Sequence, residues 1–410
     1  MNDDQPLAKG YMSGTHRLVA PEATVAWVRP LLEPMGITRV ANITGLDRIG
    51  LPVVAVYRPN ARSLSVAQGK GVTLAAARAS GIMEAIELFH AEHIQLPLLL
   101  GSYSELAEQH ALLDPLQLPL ARNSRFAVDL PLCWIEGRCL FSGNSFWLPF
   151  ELVHTNACLP EPPGSGCFSA TSNGLASGNH PLEAMSHGLC ELIERDAVTL
   201  WHLKGEQARR ETRIDPRSVS DPLAQALLAQ IERAELNTLI WEATSDVAIP
   251  TFVCTIFERS STGDLLLYSG SGAGCHPDKQ VALTRALTEA AQSRLTLIAG
   301  SRDDLERHMY RSDLQSEQMA AWLHTELHQP AHRSFAEIVD RKSTTLTEDL
   351  TWELEQLAAA GFTQALVVDL TRPEFNIPVV RLVVPGLEGC DEVADYMPGA
   401  RALAAMEATP

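Results

Sequence analysis

Mixed apolar and polar positions at helical spacing predict three long helices, at about Leu74 to Ile94, Pro181 to His202 and Lys279 to Ala299. Each follows a glycine-rich stretch that reads as a loop. These stretches are Gln68-Gly69-Lys70-Gly71, then Ser172-Asn173-Gly174-Leu175-Ala176-Ser177-Gly178-Asn179, then Gly270 to Gly274. Shorter apolar runs predict strands at Val40–Ile43, Pro52–Tyr57, Leu132–Leu140, Ser145–Leu148, Thr251–Glu258, Leu265–Ser269, 365–369 and 378–384. Turn residues part them at Gly45-Leu46-Asp47, Ser142-Gly143-Asn144 and Ser261-Thr262-Gly263-Asp264. A helix opens at Pro21-Glu22 and runs to about Leu32, and residues 216–243 read as a helix followed by a strand. Further helices are expected near 315–326 and 346–360, with a loop at 159–166. Helices and strands mix throughout, which predicts an α/β or α+β architecture.

The glycine-rich stretches and their helices repeat. Gly71, Ala77, Gly81, Glu84, Ile86 and Glu87 recur 107 positions later as Gly178, Ala184, Gly188, Glu191, Ile193 and Glu194. A weaker third copy, Ala282, Ala286, Glu289 and Gln292, follows 98 positions after the second. Close helix packing explains recurring Gly and Ala, but not acids recurring in the same register.

At about 100° per residue, Ser80, Glu84 and Glu87 fall within roughly 60° of one helix face, and Glu183, Glu191 and Glu194 within roughly 80° of another. Their neighbours are apolar: Gly81-Ile82-Met83 and Phe89 around one pair, Leu192-Ile193 and Ala197-Val198 around the other. Half-buried like charges oppose folding unless a cation joins them. Carboxylates and phosphate oxygens are ligands that magnesium prefers. Glycine-rich segments leading into helices can bring backbone N–H groups to an anion, with Lys70, Asn173 and Asn179 as polar partners. A magnesium–phosphate site is therefore preferred to a salt-bridge network. No Walker motif and no GxSxG elbow occurs. Glu87-x-x-His90 matches half of a di-iron carboxylate bundle, but the second helix has Ala197 where that bundle needs histidine. His90 and His93 are expected as partly buried helix residues.

The formal charge of −18 argues against nucleic-acid or anionic-membrane binding but not against a small polyanion that arrives with a divalent cation. Hydrophobic residues are 46% and charged residues 20%, a globular balance. The acidic start lacks the features of a secretory signal, and the eight cysteines include no CxxC pair. A cytoplasmic, reduced chain is expected, without a membrane partner.

Gly69-Lys70-Gly71, Ser80, Glu84 and Glu87, with Ser172-Asn173-Gly174, Gly178-Asn179, Glu183-Ala184 and Glu191-Leu192-Ile193-Glu194-Arg195-Asp196, resemble the YcaO family. Ala290-Ala291-Gln292-Ser293-Arg294 and Pro385-Gly386-Leu387-Glu388 extend the resemblance over about residues 14–390. It implies a YcaO-like α+β fold with mixed sheets and pseudo-repeated loop–helix units around a nucleotide site. The implied segments are an N-terminal contribution to that site (1–60), the catalytic domain (61–390) and a tail (391–410).

The implied activity is ATP-dependent phosphorylation of a backbone amide oxygen in a peptide or protein. Glu84, Glu87, Glu191 and Glu194 would hold Mg2+, with Glu191, Glu194 and Arg294 taking part in catalysis. Arg17, Thr24, Lys70, Ser80, Asn173, Asn179, Glu183, Arg195 and Gln292 would contact ATP or metal. Arg195 would touch phosphate or neutralise Glu191. An unbroken helix would place Arg294 roughly 140° from Glu289.

Gly14-Thr15-His16-Arg17, Thr44 through Gly50, and Arg58-Pro59-Asn60 through Gly71 resemble members that form thioamides with a TfuA partner. That partner would deliver sulfur, since neither Cys167 nor Cys190 stands out as a sulfur carrier. The chain ends Ala408-Thr409-Pro410 instead of in the Pro-x-Pro-x-Pro of azoline-forming members, and no N-terminal leader-binding domain is expected. A homodimer is the expected assembly. The competing readings are an azoline-forming cyclodehydratase and a non-enzymatic peptide-presenting subunit.

Overall fold

The structure is a computed structural model and describes residues 6–258, 269–305, 307–310, 314–389 and 396–408. The strands are β1 (Arg39–Asn42), β2 (Val53–Tyr57), β3 (Val66–Lys70), β4 (Leu98–Gly101), β5 (Leu132–Cys139), β6 (Ser145–Pro149), β7 (Leu175–Ser177), β8 (Leu236–Glu242), β9 (Thr251–Glu258), β10 (Gly270–Cys275), β11 (Leu366–Asp369) and β12 (Val379–Val383). The helices are α1 (Pro21–Val28), α2 (Leu74–Glu92), α3 (Tyr103–Leu106), α4 (Pro181–Leu203), α5 (Glu206–Glu211), α6 (Pro222–Arg233), α7 (Lys279–Ala299), α8 (Leu314–His328), α9 (Leu346–Ala359) and α10 (Ala400–Ala408). The expected strand at Leu265–Ser269 lies almost wholly outside the described residues. No described helix is long and apolar enough to cross a membrane.

Among the described residues the strands form three antiparallel sheets, which makes the fold α+β. One has the order β1-β2-β3 and carries α2. It crosses the boundary expected at residue 60, because β2 pairs with both β1 and β3. A second, β10-β9-β8, carries α7. The largest runs β4-β5-β11-β12-β7, with β6 also on β5, and packs α4 against β12 and β7.

All three glycine-rich stretches contain strands, which corrects their reading as loops. Gln68-Gly69-Lys70 ends β3, Leu175–Ser177 is β7, and Gly270–Cys275 is β10. Gly69, Gly270, Gly272 and Gly274 serve close packing, whereas Gly174 turns the chain with φ +79°. A Cβ on Gly69 would lie 2.0 Å from Gly81 N and 2.1 Å from Ala77 O. One on Gly272 would lie 2.3 Å from Ala290 N, and one on Gly274 2.1 Å from Ala282 O. Glycine in a strand marks such close backbone approach. Gly272→Ala is therefore expected to cost at least about 3 kcal/mol, read as a lower denaturant midpoint.

The repeat is thus one of strand, short link and helix. Residues 71–73, 178–180 and 276–278 join β3 to α2, β7 to α4 and β10 to α7. The last residue of each link caps its helix. Side chains of Thr73, His180 and Asp278 accept from the backbone N–H of Ala76, Leu182 and Gln280. Equal links set the three helices in equivalent register, so acids at matching positions lie at matching depths.

Candidate active site

The polar faces of α2, α4 and α7 meet residues 11–24 around a cavity of about 490 Å³. Glu84 and Glu87 reach it from α2, Glu183, Glu191, Glu194 and Arg195 from α4, and Glu289 and Gln292 from α7. Arg17, Thr24, Lys70, Ser80 and Asn179 complete the set of expected residues that line it. The repeated acids therefore converge from three separate sheets.

Burial dominates their electrostatics. It raises Glu84 to about 7, even though Arg302 and Lys70 oppose the rise. It raises Glu87 to about 8, although Ser177 donates from both its backbone N (2.8 Å) and its Oγ (2.6 Å). Glu194 rises to about 7, and Glu191 also rises, both for the same first cause and against the charge of Arg195. Glu289 goes the other way. Burial would raise it, but Lys70, which pairs with it, and then Arg195 hold it below the ordinary carboxylate value. Four carboxyls that ionise reluctantly face one cavity, and carboxylate oxygens are the donor type that magnesium takes.

A hydrogen-bonded network centred on Glu183 forms another part of the lining. Thr24 Oγ1 donates to Asn179 Oδ1 (2.9 Å), and Asn179 Nδ2 donates to Glu183 Oε1 (3.1 Å). Glu183 Oε2 accepts from Leu18 N (2.7 Å), while Arg17 Nε lies 3.7 Å from its other oxygen. Glu183 is 3% exposed and works as the hub that fixes Arg17, Thr24 and Asn179. Arg195 Nη2 lies 3.4 Å from Glu194 Oε1, so the guanidinium borders the acidic cluster.

Two expected residues do not reach the cavity. Arg294 points off the far side of α7 into a buried ion pair, with Nε 2.9 Å from Asp47 Oδ2 and Nη2 2.8 Å from Glu258 Oε1. The roughly 140° offset from Glu289 on an unbroken helix is the physical reason. Asn173 lies at the bend before β7 and is likewise outside the cavity wall. Gln292 does line it, but its Nε2 is committed to Gln68 O at 2.7 Å. Arg294→Met should lower the melting temperature while leaving Mg–ATP affinity within about twofold, checked by calorimetry.

His187, Arg285 and Arg302 also line the cavity and were missed. The first two had a signal: each stands one turn before a cavity acid, Glu191 or Glu289. His90 and His93 donate from Nδ1 to Ile86 O and Phe89 O within their own helix. Cys167 and Cys190 are buried thiols: burial first raises Cys167, and a hydrogen bond with Cys275 followed by burial raises Cys190.

A family model described as "YcaO cyclodehydratase, ATP-ad Mg2+-binding" matches residues 68–388. The chain belongs to the YcaO family. An uncharacterized protein in the tfuA 3′ region of Rhizobium leguminosarum bv. trifolii is 39% identical over 380 residues, 91% of this chain and 88% of that protein. An uncharacterized protein of Methanothermobacter thermautotrophicus is 34% identical over 378 residues, 90% and 94% of the two chains.

Among solved structures, a heterocyclase in complex with substrate and cofactor superimposes with a TM-score of 0.76 at 23% identity. The match covers 94% of this chain but only 54% of the heterocyclase. YcaO from Methanopyrus kandleri, bound with AMPPCP and Mg2+, gives 0.71 at 21% identity, covering 93% and 95%. These likenesses establish a shared YcaO fold. The family model describes ATP and Mg2+ binding, so ATP and Mg2+ are the cofactors of this chain, which belongs to a family of ATP-dependent enzymes.

Proposed function

We propose that this YcaO protein uses Mg–ATP in the cavity to activate a backbone amide of a peptide or protein, and that sulfide then replaces the amide oxygen to give a thioamide. The reading is supported by the convergence of Glu84, Glu87, Glu191 and Glu194 on one cavity, with three of them raised to about 7 or 8. These four carboxylates would hold Mg2+, which would neutralise charge on the transferred phosphoryl group. Arg17 and Lys70 supply positive charge, Ser80 and Asn179 supply hydrogen bonds, and Glu183 keeps Arg17 and Asn179 in place. Arg195, beside Glu194, neutralises carboxylate charge when no phosphate is present.

The bookkeeping of atoms is simple. Sulfide adds to the carbonyl carbon, and the resulting oxyanion takes the γ-phosphoryl group of ATP, releasing ADP. The S–H proton is then lost, phosphate leaves with the former amide oxygen, and the C=S bond forms. An amide oxygen is a poor leaving group and a phosphorylated one is good, so positioning and charge neutralisation are the protein's main contribution.

Sulfur as the nucleophile is supported by the 39% identical relative in a tfuA 3′ region, and a TfuA-like partner would deliver it. The runner-up is a cyclodehydratase that makes azolines from Cys, Ser or Thr, favoured by the description of the family model. Mass spectrometry of cellular peptides and proteins, with and without the gene, separates the two. Oxygen-to-sulfur exchange adds mass, whereas dehydration removes it. A gene-dependent loss of water with no sulfur gain would sink the thioamide reading. No gene-dependent change at all would favour a peptide-presenting subunit.

A further inference from the structure

We propose that Lys9 is a positioning residue for Arg17, an inference that rests on the cavity holding ATP. His16, His276 and Asp349 are all buried and bring ligand atoms within 4.8 Å of one another, a grouping that could hold a metal ion. A side chain already supplies the cation there. The Lys9 ammonium, with no side-chain exposure, lies 2.6 Å from Asp349 Oδ2 and 2.9 Å from His16 Nδ1. It also donates to Ser343 Oγ (2.8 Å) and Ser343 O (3.1 Å). Burial first, and then the charge of Lys9, lower His16 to about 3, so its ring stays neutral and Nδ1 can accept.

The cage sits at the base of a flap. Tyr11 and Arg17 exchange backbone hydrogen bonds of 3.0 and 2.9 Å, and Gly10 N donates to Arg17 O at 3.1 Å. A Cβ on Gly10 would lie 2.1 Å from Leu18 O, so the two arms close only with glycine there. The flap between them carries Ser13, Gly14 and Thr15 onto the cavity wall, with Arg17 at its end. The outer arm is pinned to the start of α9: Leu346 N donates to Leu7 O, and Lys9 N to Thr344 O.

One turn after Asp349, Glu353 accepts from Ser186 Oγ (2.6 Å) and Cys190 Sγ (3.3 Å) on α4. Helix α9 thus ties the flap and the glutamate helix together through two buried carboxyls. Lys9 never touches the cavity, yet it sets where Arg17 stands relative to Glu183 and Glu191.

The test is a double-mutant cycle on the full chain, with Mg–ATP affinity read by calorimetry. Removing Lys9 alone would strand the buried Asp349 charge and endanger folding. The anchor is therefore removed as the neutral pair Lys9→Met with Asp349→Asn. Lys9→Arg, which keeps the charge but not the cage geometry, gives a second route through the same cycle. Arg17→Met should itself weaken binding. Loss of the anchor should weaken binding about tenfold in the native background and add less than about twofold in the Arg17→Met background. An equal loss in both backgrounds means a general structural effect and overturns the proposal, as does no loss in the native background. If Arg17→Met leaves affinity unchanged, the placement of the nucleotide is wrong, and the role of Lys9 falls with it.

Discussion

Replacing Glu191 and Glu194 together with glutamine should abolish ATP-dependent modification, with turnover down at least about 10³-fold. Glutamine keeps the volume of each side chain and some of its hydrogen bonding. It cannot supply the negative charge that holds a divalent cation against the phosphates. Both acids are raised by burial, and Glu289 adds repulsion to each, so the native pair opposes folding when no cation is bound. The variant should therefore fold at least as well as the native protein in metal-free buffer. The informative pair of readings is a lost Mg–ATP-induced rise in melting temperature together with an unchanged or higher metal-free melting temperature. Modification retained within about tenfold would remove these residues from the catalytic centre.

The second large effect is on pH. Glu84, Glu87 and Glu194 bind their protons up to about 7, 8 and 7, against an ordinary value near 4.5. Between those limits the metal-free folded chain carries protons that the unfolded chain has lost. Stability from this source is therefore full below about 4.5 and is lost as pH rises through about 7 to 8. The buried rings of His16, His187 and His276 act oppositely, since burial first lowers each of them and stability is gained as pH rises toward 6.5. Comparison with Glu87→Gln isolates the carboxyl contribution. The variant should gain melting temperature over the native protein progressively from pH 6 to pH 8.5, by about 2–4 °C in metal-free buffer. Mg–ATP binding should release protons near pH 6.5 and almost none at pH 9. Calorimetry in two buffers of different ionisation enthalpy counts them. Proton release that does not change with pH would refute the account.

The sequence showed the acids that line the cavity better than the framework beneath them. The repeat placed Glu84 with Glu191 and Glu87 with Glu194, because a shared register is written directly in the spacing. Gly69, Gly270, Gly272 and Gly274 read as loop residues in the sequence and stand in strands in the fold. A glycine's composition signal is the same whether it turns the chain or admits a helix backbone, and only the second strand–helix partner tells them apart. Arg294 enters the expected site only through resemblance, and helix geometry points it away from Glu289. The Lys9 cage was hidden for another reason. Its partners lie far along the chain: Lys9 meets residues near 343–349, and no local period encodes such a meeting.

The third strand–helix unit differs from the other two in one functional respect. Where they offer two acids, it offers Glu289 joined to Lys70 and Gln292 joined to the backbone of β3. Three equivalent units would surround the cavity with interchangeable sides, and a ligand could enter in several equivalent poses. One altered side removes that degeneracy. A molecule with unlike ends has a single best orientation, so the divergence of one copy gives the cavity a heading.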